Sequence, residues 1–224
     1  MNTTVINGGI CHKSLVQTIA EEIEKQIINF ELKPGERLVE QTMCERFQVS
    51  RSPLREAFRI LEHDGFLTNT ARRGACVSGM TYKEAVDIYT IRANLESLAA
   101  GLAVKNDDGT LAQRLRARYE TMKAAAARDD VNAFAEANSA FHAELIGACG
   151  NERLISMLDL FVKQTARYRA LVIQNEGRLE TSLRKHEELI LAVQRGNAAE
   201  VEEQRKNAIL ANIDLMREIF TTSK

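Results

Sequence analysis

The chain has few of the residues that break or cross-link a fold. Its 224 residues include two prolines, no tryptophan and four cysteines, which never form a CxxC pair. Scattered cysteines argue against a zinc motif or a disulfide framework and fit a reducing compartment, so we expect a cytoplasmic protein. The first 13 residues lack a basic start followed by an apolar core, and no apolar run is long enough to span a bilayer. We therefore expect neither a signal peptide nor a membrane segment.

Net charge is also nearly absent. The chain carries a formal charge of −1, which argues against a protein that coats nucleic acid by bulk charge. Positive charge is concentrated instead, because six arginines and only three acids lie between Arg46 and Arg73. Such a cluster alone could equally be a solvated helix face, so the surrounding pattern has to decide. The length favours two domains.

Residues 49–67 have the pattern of a DNA recognition helix. One face is apolar with i, i+3, i+4, i+7 spacing, at Leu54, Ala57, Phe58 and Leu61. Arginines recur every four residues on another face, at Arg51, Arg55 and Arg59. We expect the Ser50 hydroxyl to cap this helix, Pro53 to lie in its first turn, and Gly65 to end it. A helix that buries one face and offers three guanidinium groups on another suits the major groove of DNA.

The elements around this helix complete a winged helix-turn-helix. Helical patterns precede it and short strand patterns follow it, at 14–30, 39–47, 66–68 and 75–77. Ser14 and Gln17 have the spacing of a capping box. The two strands enclose a basic tip that contains Arg72 and Arg73. A hairpin in this position is a wing, and we expect its arginines to face the DNA backbone or the minor groove.

The pattern is helical throughout the rest of the chain. Six helical segments with short connections follow, at 81–105, 110–128, 131–149, 151–175, 179–195 and 198–220. Thr81 and Glu84 form another capping box. We predict a mainly α fold, with a winged helix-turn-helix at 14–78 and an antiparallel α-helical bundle at 79–224. Residues 1–13 are expected to be a flexible tail.

Polar side chains within the apolar stripes of the bundle predict a ligand cavity. Asn138 and His142 interrupt one stripe a single turn apart, while His186 and Arg92 interrupt two others. Buried imidazoles and guanidinium groups need partners, so their occurrence on several helices favours one wet cavity at the centre of the bundle. Each has a plainer alternative. Arg92 could pair with Glu96 one turn on, and a stripe histidine could be a hydrogen-bonded core residue.

These motifs, in this order, resemble the GntR family of bacterial transcription regulators. The N-terminal resemblance rests on residues 32–38 (LKPGERL) and 47–57 (FQVSRSPLREA), followed by Asp64-Gly65 and Arg73-Gly74. The helical half is similar to the effector domain of the FadR-type branch, in its shorter six-helix form. That similarity rests on Ile91-Arg92, Leu95-Glu96, Phe141-His142 and His186.

The resemblance implies a homodimeric transcription regulator, a repressor, that binds double-stranded DNA at a palindromic operator. The implied DNA contacts are Gln41, Ser50, Arg51, Ser52, Arg55, Arg72, Arg73 and Gly74. Gln41 stands where the family pattern has arginine. Arginine is the commonest partner of guanine O6 and N7 and binds phosphate as well. The sequence does not assign Arg51 and Arg55 between these two roles.

For the helical half, the resemblance implies a small carboxylate effector, with Arg92, Asn138, His142 and His186 as the binding residues. Related domains often hold a divalent metal through one Asp and three His. Here Asn138 stands at the Asp position and Ala208 at the last His position. The implied metal residues are therefore Asn138, His142 and His186, for Zn, Ni or Mn. Because an amide carries no charge, we expect weak metal affinity, and direct binding of a carboxylate is the alternative.

A metal-dependent helical enzyme is the alternative function. It would use His142 and His186 with a nearby acid such as Glu96 or Glu144. It leaves the helix-turn-helix unexplained, and the sequence has no Ser/His/Asp or Cys/His constellation and no phosphate loop. A DNA-binding architectural protein, whose bundle only dimerises, leaves the polar residues in the stripes unexplained. We therefore expect a regulator rather than an enzyme.

Overall fold

A computed structural model describes residues 14–70, 73–173 and 178–222. Its contacts divide the chain into two compact units, between Ser78 and Gly79. The first unit contains α1 (Leu15–Ile28), α2 (Glu40–Phe47), α3 (Arg51–His63), β1 (Leu67–Thr70) and β2 (Gly74–Val77). The second contains α4 (Tyr82–Lys105), α5 (Leu111–Ala126), α6 (Val131–Gly147), α7 (Glu152–Ile173), α8 (Arg178–Gln194) and α9 (Ala198–Thr222). The predicted mainly α fold, with a winged helix-turn-helix before a helical bundle, is confirmed.

The helices of the first unit begin and end at recognisable signals. Ser14 caps α1, since its hydroxyl accepts from the Gln17 amide at 3.2 Å and the Gln17 side chain accepts from the Ser14 amide at 3.1 Å. This capping box is confirmed. Gly65 follows α3 with a φ of +79°, as predicted for a left-handed residue. Gln48, between α2 and α3, is also left-handed, with a φ of +54°, which is uncommon outside glycine and makes the turn tight.

One predicted cap is wrong. Ser50 lies at the N-cap of α3, but its hydroxyl makes no capping hydrogen bond within the described residues. A capping hydroxyl accepts from the second or third amide of the helix. The third residue of α3 is Pro53, which has no amide hydrogen to donate. The free hydroxyl of Ser50 therefore stays exposed at the start of the helix.

The wing packs on the core of its own unit. β1 pairs with β2 in antiparallel register, with Leu67 opposite Val77 and Thr70 opposite Gly74. The strands thus extend one or two residues further towards the hairpin tip than predicted. The core is formed by apolar residues of α1, α3 and the hairpin, among them Ile23, Ile27, Leu54, Leu61 and Phe66. Burying a side chain of this size stabilises the fold by about 1.5–3 kcal/mol.

In the second unit, α4 packs against α9, α7 and α6. It begins at the predicted capping box, where the Thr81 hydroxyl accepts from the Glu84 amide at 3.2 Å. α4 and α9 approach closely at Gly101, since a Cβ atom there would overlap the Glu202 side chain. Ser97 also donates to the Glu202 carbonyl at 2.9 Å. No helix in the described ranges is both long enough and apolar enough to cross a bilayer.

Candidate DNA interface and ligand cavity

The first candidate site is the exposed face of α3. This helix buries the predicted apolar face, Leu54, Ala57, Phe58 and Leu61. The residues that the sequence assigned to DNA at its N-terminal end are all exposed, namely Ser50, Arg51, Ser52 and Arg55. Within the described chain Arg51 forms no ion pair, so its guanidinium is available to an incoming acceptor. The structure therefore presents these polar groups on one accessible surface.

Arg55 is paired with Glu40 of α2, a contact that the sequence did not predict. Its Nε lies 3.0 and 3.1 Å from the two carboxylate oxygens of Glu40, and its Nη2 lies 2.9 Å from one of them. The hydrogen bond to Glu40 raises the pKa of Arg55, so the guanidinium stays charged. Arg59 pairs instead with Glu56 on its own helix at 2.5 Å. Of the three arginines on this face, two are thus oriented by carboxylates.

Two of the other predicted DNA contacts, Gln41 and Arg73, are exposed as well. Gln41 is exposed on α2 and donates to Glu45 at 3.2 Å. Arg73 is exposed in the hairpin turn, and Gly74 takes a φ of +71° where the turn enters β2. Arg72 lies outside the described residues. The assignment of these residues to DNA remains a prediction.

The second candidate site is a cavity of about 860 Å³ within the helical unit. It brings together all four residues that the sequence singled out, namely Arg92, Asn138, His142 and His186. Further polar side chains line it as well, including Ser182, Lys185, Gln204, Arg205, Asn207 and Asn212. Its volume lies in the range of small-molecule sites. Most of its lining side chains are polar, which favours a polar ligand.

A buried ion network lies at the cavity wall. Glu96 is fully buried and accepts from Arg92 Nε and Nη2 at 2.9 and 2.6 Å. Its second oxygen accepts from Arg205 Nε at 2.9 Å and contacts Arg205 Nη2. Arg92 Nη1 donates to the Thr165 hydroxyl at 2.5 Å. Burial alone would raise the pKa of Glu96, but attraction by Arg205 and Arg92 outweighs it and lowers the pKa to about 2.

Arg205 is the functional candidate that the sequence analysis missed. It is 6% exposed, and it joins α9 to Glu96 of α4 across the core. Arg92 does pair with Glu96, which was the alternative to a role in ligand binding. The Glu96 carboxylate also pairs with the guanidinium of Arg205, so one negative charge faces two positive charges. Arg205 lies in the buried stripe of α9 between Val201 and Ala208. A charge inside an apolar stripe is the signal that identified Arg92, and it applies here as well.

The two histidines lie against each other and against Arg205. His186 Nδ1 donates to the Ser182 carbonyl at 2.7 Å, which leaves its Nε2 as an acceptor. Arg205 Nη1 lies 3.2 Å from His142 Nε2, and because a guanidinium only donates, that nitrogen is an acceptor too. The two Nε2 atoms are 3.2 Å apart. Burial, together with the positive charge of Arg205, lowers the pKa of His186 to about 4, although the hydrogen bond to Ser182 acts in the opposite direction.

A divalent metal does not fit this arrangement of side chains. Within the described ranges, no three His, Cys, Asp or Glu side chains are grouped to hold one. Asn138 has no charge and Ala208 no ligand atom, so the residues implied for a metal lack an anionic member. The Arg205 guanidinium also contacts the nitrogen of His142 that would bind the ion.

Comparisons with known proteins match both units. A model described as bacterial regulatory proteins, gntR family, matches residues 15–77, and one described as FCD domain matches residues 87–210. The uncharacterized HTH-type transcriptional regulator YdhC of Bacillus subtilis is 33% identical over 194 residues, which are 86% of this chain and 85% of that protein. The gluconate operon transcriptional repressor of B. subtilis is 34% identical over 58% of this chain and 53% of that protein. The solved structure of E. coli McbR/YncC has a TM-score of 0.81 at 20% identity, over 93% and 100% of the two chains.

Proposed function

Since this chain belongs to the GntR family of bacterial regulatory proteins, with an FCD domain as its helical unit, it is a DNA-binding transcription regulator, and we propose that a small carboxylate controls its DNA binding. Specifically, the protein is a homodimeric repressor of a palindromic operator. The observation that carries the proposal is a cavity whose wall contains two buried arginines and one buried acid, in a unit separate from the exposed arginines of α3.

For DNA, the proposal rests on the exposed arginines of α3. Arg51 and Arg55 offer donors to guanine O6 and N7 or to phosphate, and Ser50 and Ser52 offer hydroxyls beside them. A single recognition helix buries too little surface for a specific site. Two half-sites related by a twofold axis solve this, so the proposal includes a dimer of this chain.

For the effector, the proposal rests on charge balance. Arg92 and Arg205 bring two buried positive charges, and Glu96 neutralises one of them. A buried cation requires an anionic partner, so the cavity favours a ligand with one carboxylate. The cavity is also lined by amides and hydroxyls, which suit a ligand that carries hydroxyl groups. Among them are Asn138, Ser182, Asn207 and Asn212. One relative is named for a gluconate operon, so hydroxylated acids are the first candidates.

The same network offers a route from the effector to the DNA-binding unit. Glu96 of α4 is held by Arg205 of α9, so an anion that draws Arg205 away alters the contact between these helices. α4 begins at Tyr82, four residues after the boundary at Ser78. A change in α4 therefore reaches the winged unit through a short connection. The ligand shifts the equilibrium only by its different affinities for the two arrangements.

The DNA assignment predicts a loss of affinity in arginine variants. Arg51→Ala or Arg55→Ala should weaken binding to a selected operator by about 1–3 kcal/mol if the lost contact is to a base. If the contact is to phosphate, binding should weaken on all sequences and depend less on salt. Fluorescence anisotropy at two or more salt concentrations distinguishes the two. Lys83→Ala removes one positive charge from the other unit and should leave affinity unchanged. Unchanged affinity in both arginine variants would contradict the assignment.

The effector assignment predicts that a small organic acid raises the melting temperature and alters operator binding. Arg92→Lys keeps the charge but loses the planar fork that holds Glu96 and Thr165, so we expect at least tenfold weaker binding of that acid. Thermal-shift screening followed by calorimetry measures this, again with Lys83→Ala as the control. If the acid binds Arg92→Lys as tightly as the original chain, the anion site lies elsewhere.

A further inference from the structure

His142 and His186 present two nitrogens at the spacing of ligands on one metal ion. Their Nε2 atoms are 3.2 Å apart. Two imidazole nitrogens bound to one tetrahedral zinc ion are about 3.3 Å apart, because each Zn–N bond measures about 2.0–2.1 Å. His186 is also fixed by its hydrogen bond from Nδ1 to the Ser182 carbonyl, the kind of contact that orients metal-binding imidazoles. Both nitrogens are acceptors that face each other, which is unfavourable unless a cation or a donor lies beside them.

Arg205 supplies that cation from the protein itself. Its Nη1 donates to His142 Nε2 at 3.2 Å, while its Nε donates to Glu96 at 2.9 Å. The group is 6% exposed and cannot lose its proton. A divalent ion on the same two histidines would lie within a few ångströms of this positive charge in a medium of low dielectric, where like charges repel strongly.

We propose that the guanidinium of Arg205 takes the place of a metal ion beside His142 and His186, so that this cavity excludes divalent metals and binds its anion without one. The last clause rests on the proposed function, whereas the exclusion of metal does not. Loss of the Arg205 charge leaves Arg92 and Glu96 as a balanced pair. A neutral side chain at position 205 therefore leaves no carboxylate unpaired, and the helical unit should still fold.

The test uses metal ions alone as the probe. Isothermal titration of Ni²⁺ and Zn²⁺ into the full-length protein is compared with Arg205→Met, which keeps an unbranched side chain without charge. We expect Arg205→Met to bind one ion per chain at least tenfold more tightly than the original protein. His142→Ala should remove this gain when added to Arg205→Met. Arg205→Lys keeps a positive charge and should bind metal no better than the original chain.

Two results would overturn the proposal. One is His142-dependent metal binding by the original protein as tight as that of Arg205→Met. The other is a folded Arg205→Met that gains no affinity, with folding checked by circular dichroism and gel filtration. If Arg205→Met does not fold, Arg205→Gln replaces it, since it is also neutral but retains hydrogen-bonding groups.

The outcome is separable from that of the proposed function. If no organic acid alters operator binding, the proposed regulation fails, yet a gain of metal affinity in Arg205→Met still supports the exchange of a metal for arginine. If an acid does alter operator binding and a chelator abolishes that response, the regulation stands. In that case the proposal that the cavity binds its anion without a metal is wrong.

Discussion

Replacement of Glu96 by glutamine should lower the free energy of unfolding of the helical unit by about 3–5 kcal/mol. Glu96 is fully buried between Arg92 and Arg205, and because its pKa is about 2 it carries its charge at any ordinary pH. A glutamine side chain has one acceptor oxygen and no charge, so it leaves two buried guanidinium groups without a counter-charge. Chemical denaturation at neutral pH, followed by circular dichroism, measures the loss.

Two further variants make this prediction specific. Glu187→Gln removes an acid that pairs with Arg116 at the surface, at 2.9 Å and 49% exposed. It should cost no more than about 1 kcal/mol, because surface pairs contribute little. Glu96→Gln combined with Arg205→Met returns the buried charge to one and should recover part of the loss. If Glu96→Gln unfolds at the same denaturant concentration as the original chain, the network does not stabilise the fold.

Acid should begin to destabilise the protein at a higher pH than the one at which carboxylates titrate. The pKa of His186 is about 4 in the folded protein and 6.5 ordinarily, so the unfolded chain binds a proton that the folded chain does not. The stability that the neutral His186 contributes is therefore fully present above about pH 6.5, and it is lost as the pH drops from about 6.5 to 4. A difference of this size corresponds to about 3 kcal/mol over the whole range.

The measurement is a series of unfolding curves between pH 4.5 and 7. Over this interval Glu96 stays ionised, because its lowered pKa of about 2 places its own loss of stability below pH 4.5. His186→Gln should flatten the dependence, since glutamine does not titrate. His63→Gln alters an exposed histidine at the end of α3 and should leave the dependence unchanged. An equally steep dependence in His186→Gln would assign the acid sensitivity to another group.

Local signals in the sequence predicted most of the fold. The helical segments agree with the structure to within about two residues at most ends, because capping boxes such as Ser14 with Gln17 and breaks such as Gly196 mark where the chain can no longer continue a helix. The four residues expected in one cavity do line it, since each interrupts an apolar stripe that must face the core. The sequence also predicted membership of the GntR family, from the long motif at residues 32–38 and 47–57.

What the sequence did not show are pairings between distant residues. Periodicity tells which side of a helix is buried, but Glu96 and Arg205 are 109 residues apart, and only the packing of α4 on α9 brings them together. The same holds for Glu40 and Arg55 on adjacent helices. The failed cap at Ser50 is a different case, because the sequence already showed that Pro53 removes one of the two amides from which a capping hydroxyl can accept.

The contact between Glu40 and Arg55 bears on how the proposed DNA contact of Arg55 would distinguish an operator from other sequences. If Arg55 contacts DNA as proposed, a phosphate that displaces the Glu40 carboxylate only exchanges one anion for another, so such a contact would add little affinity for random DNA. A guanine edge can be read by the nitrogen that Glu40 leaves available, without breaking the pair. Under the proposed function, Arg55 would then favour the operator by weakening binding to other sequences, rather than by strengthening binding to the operator.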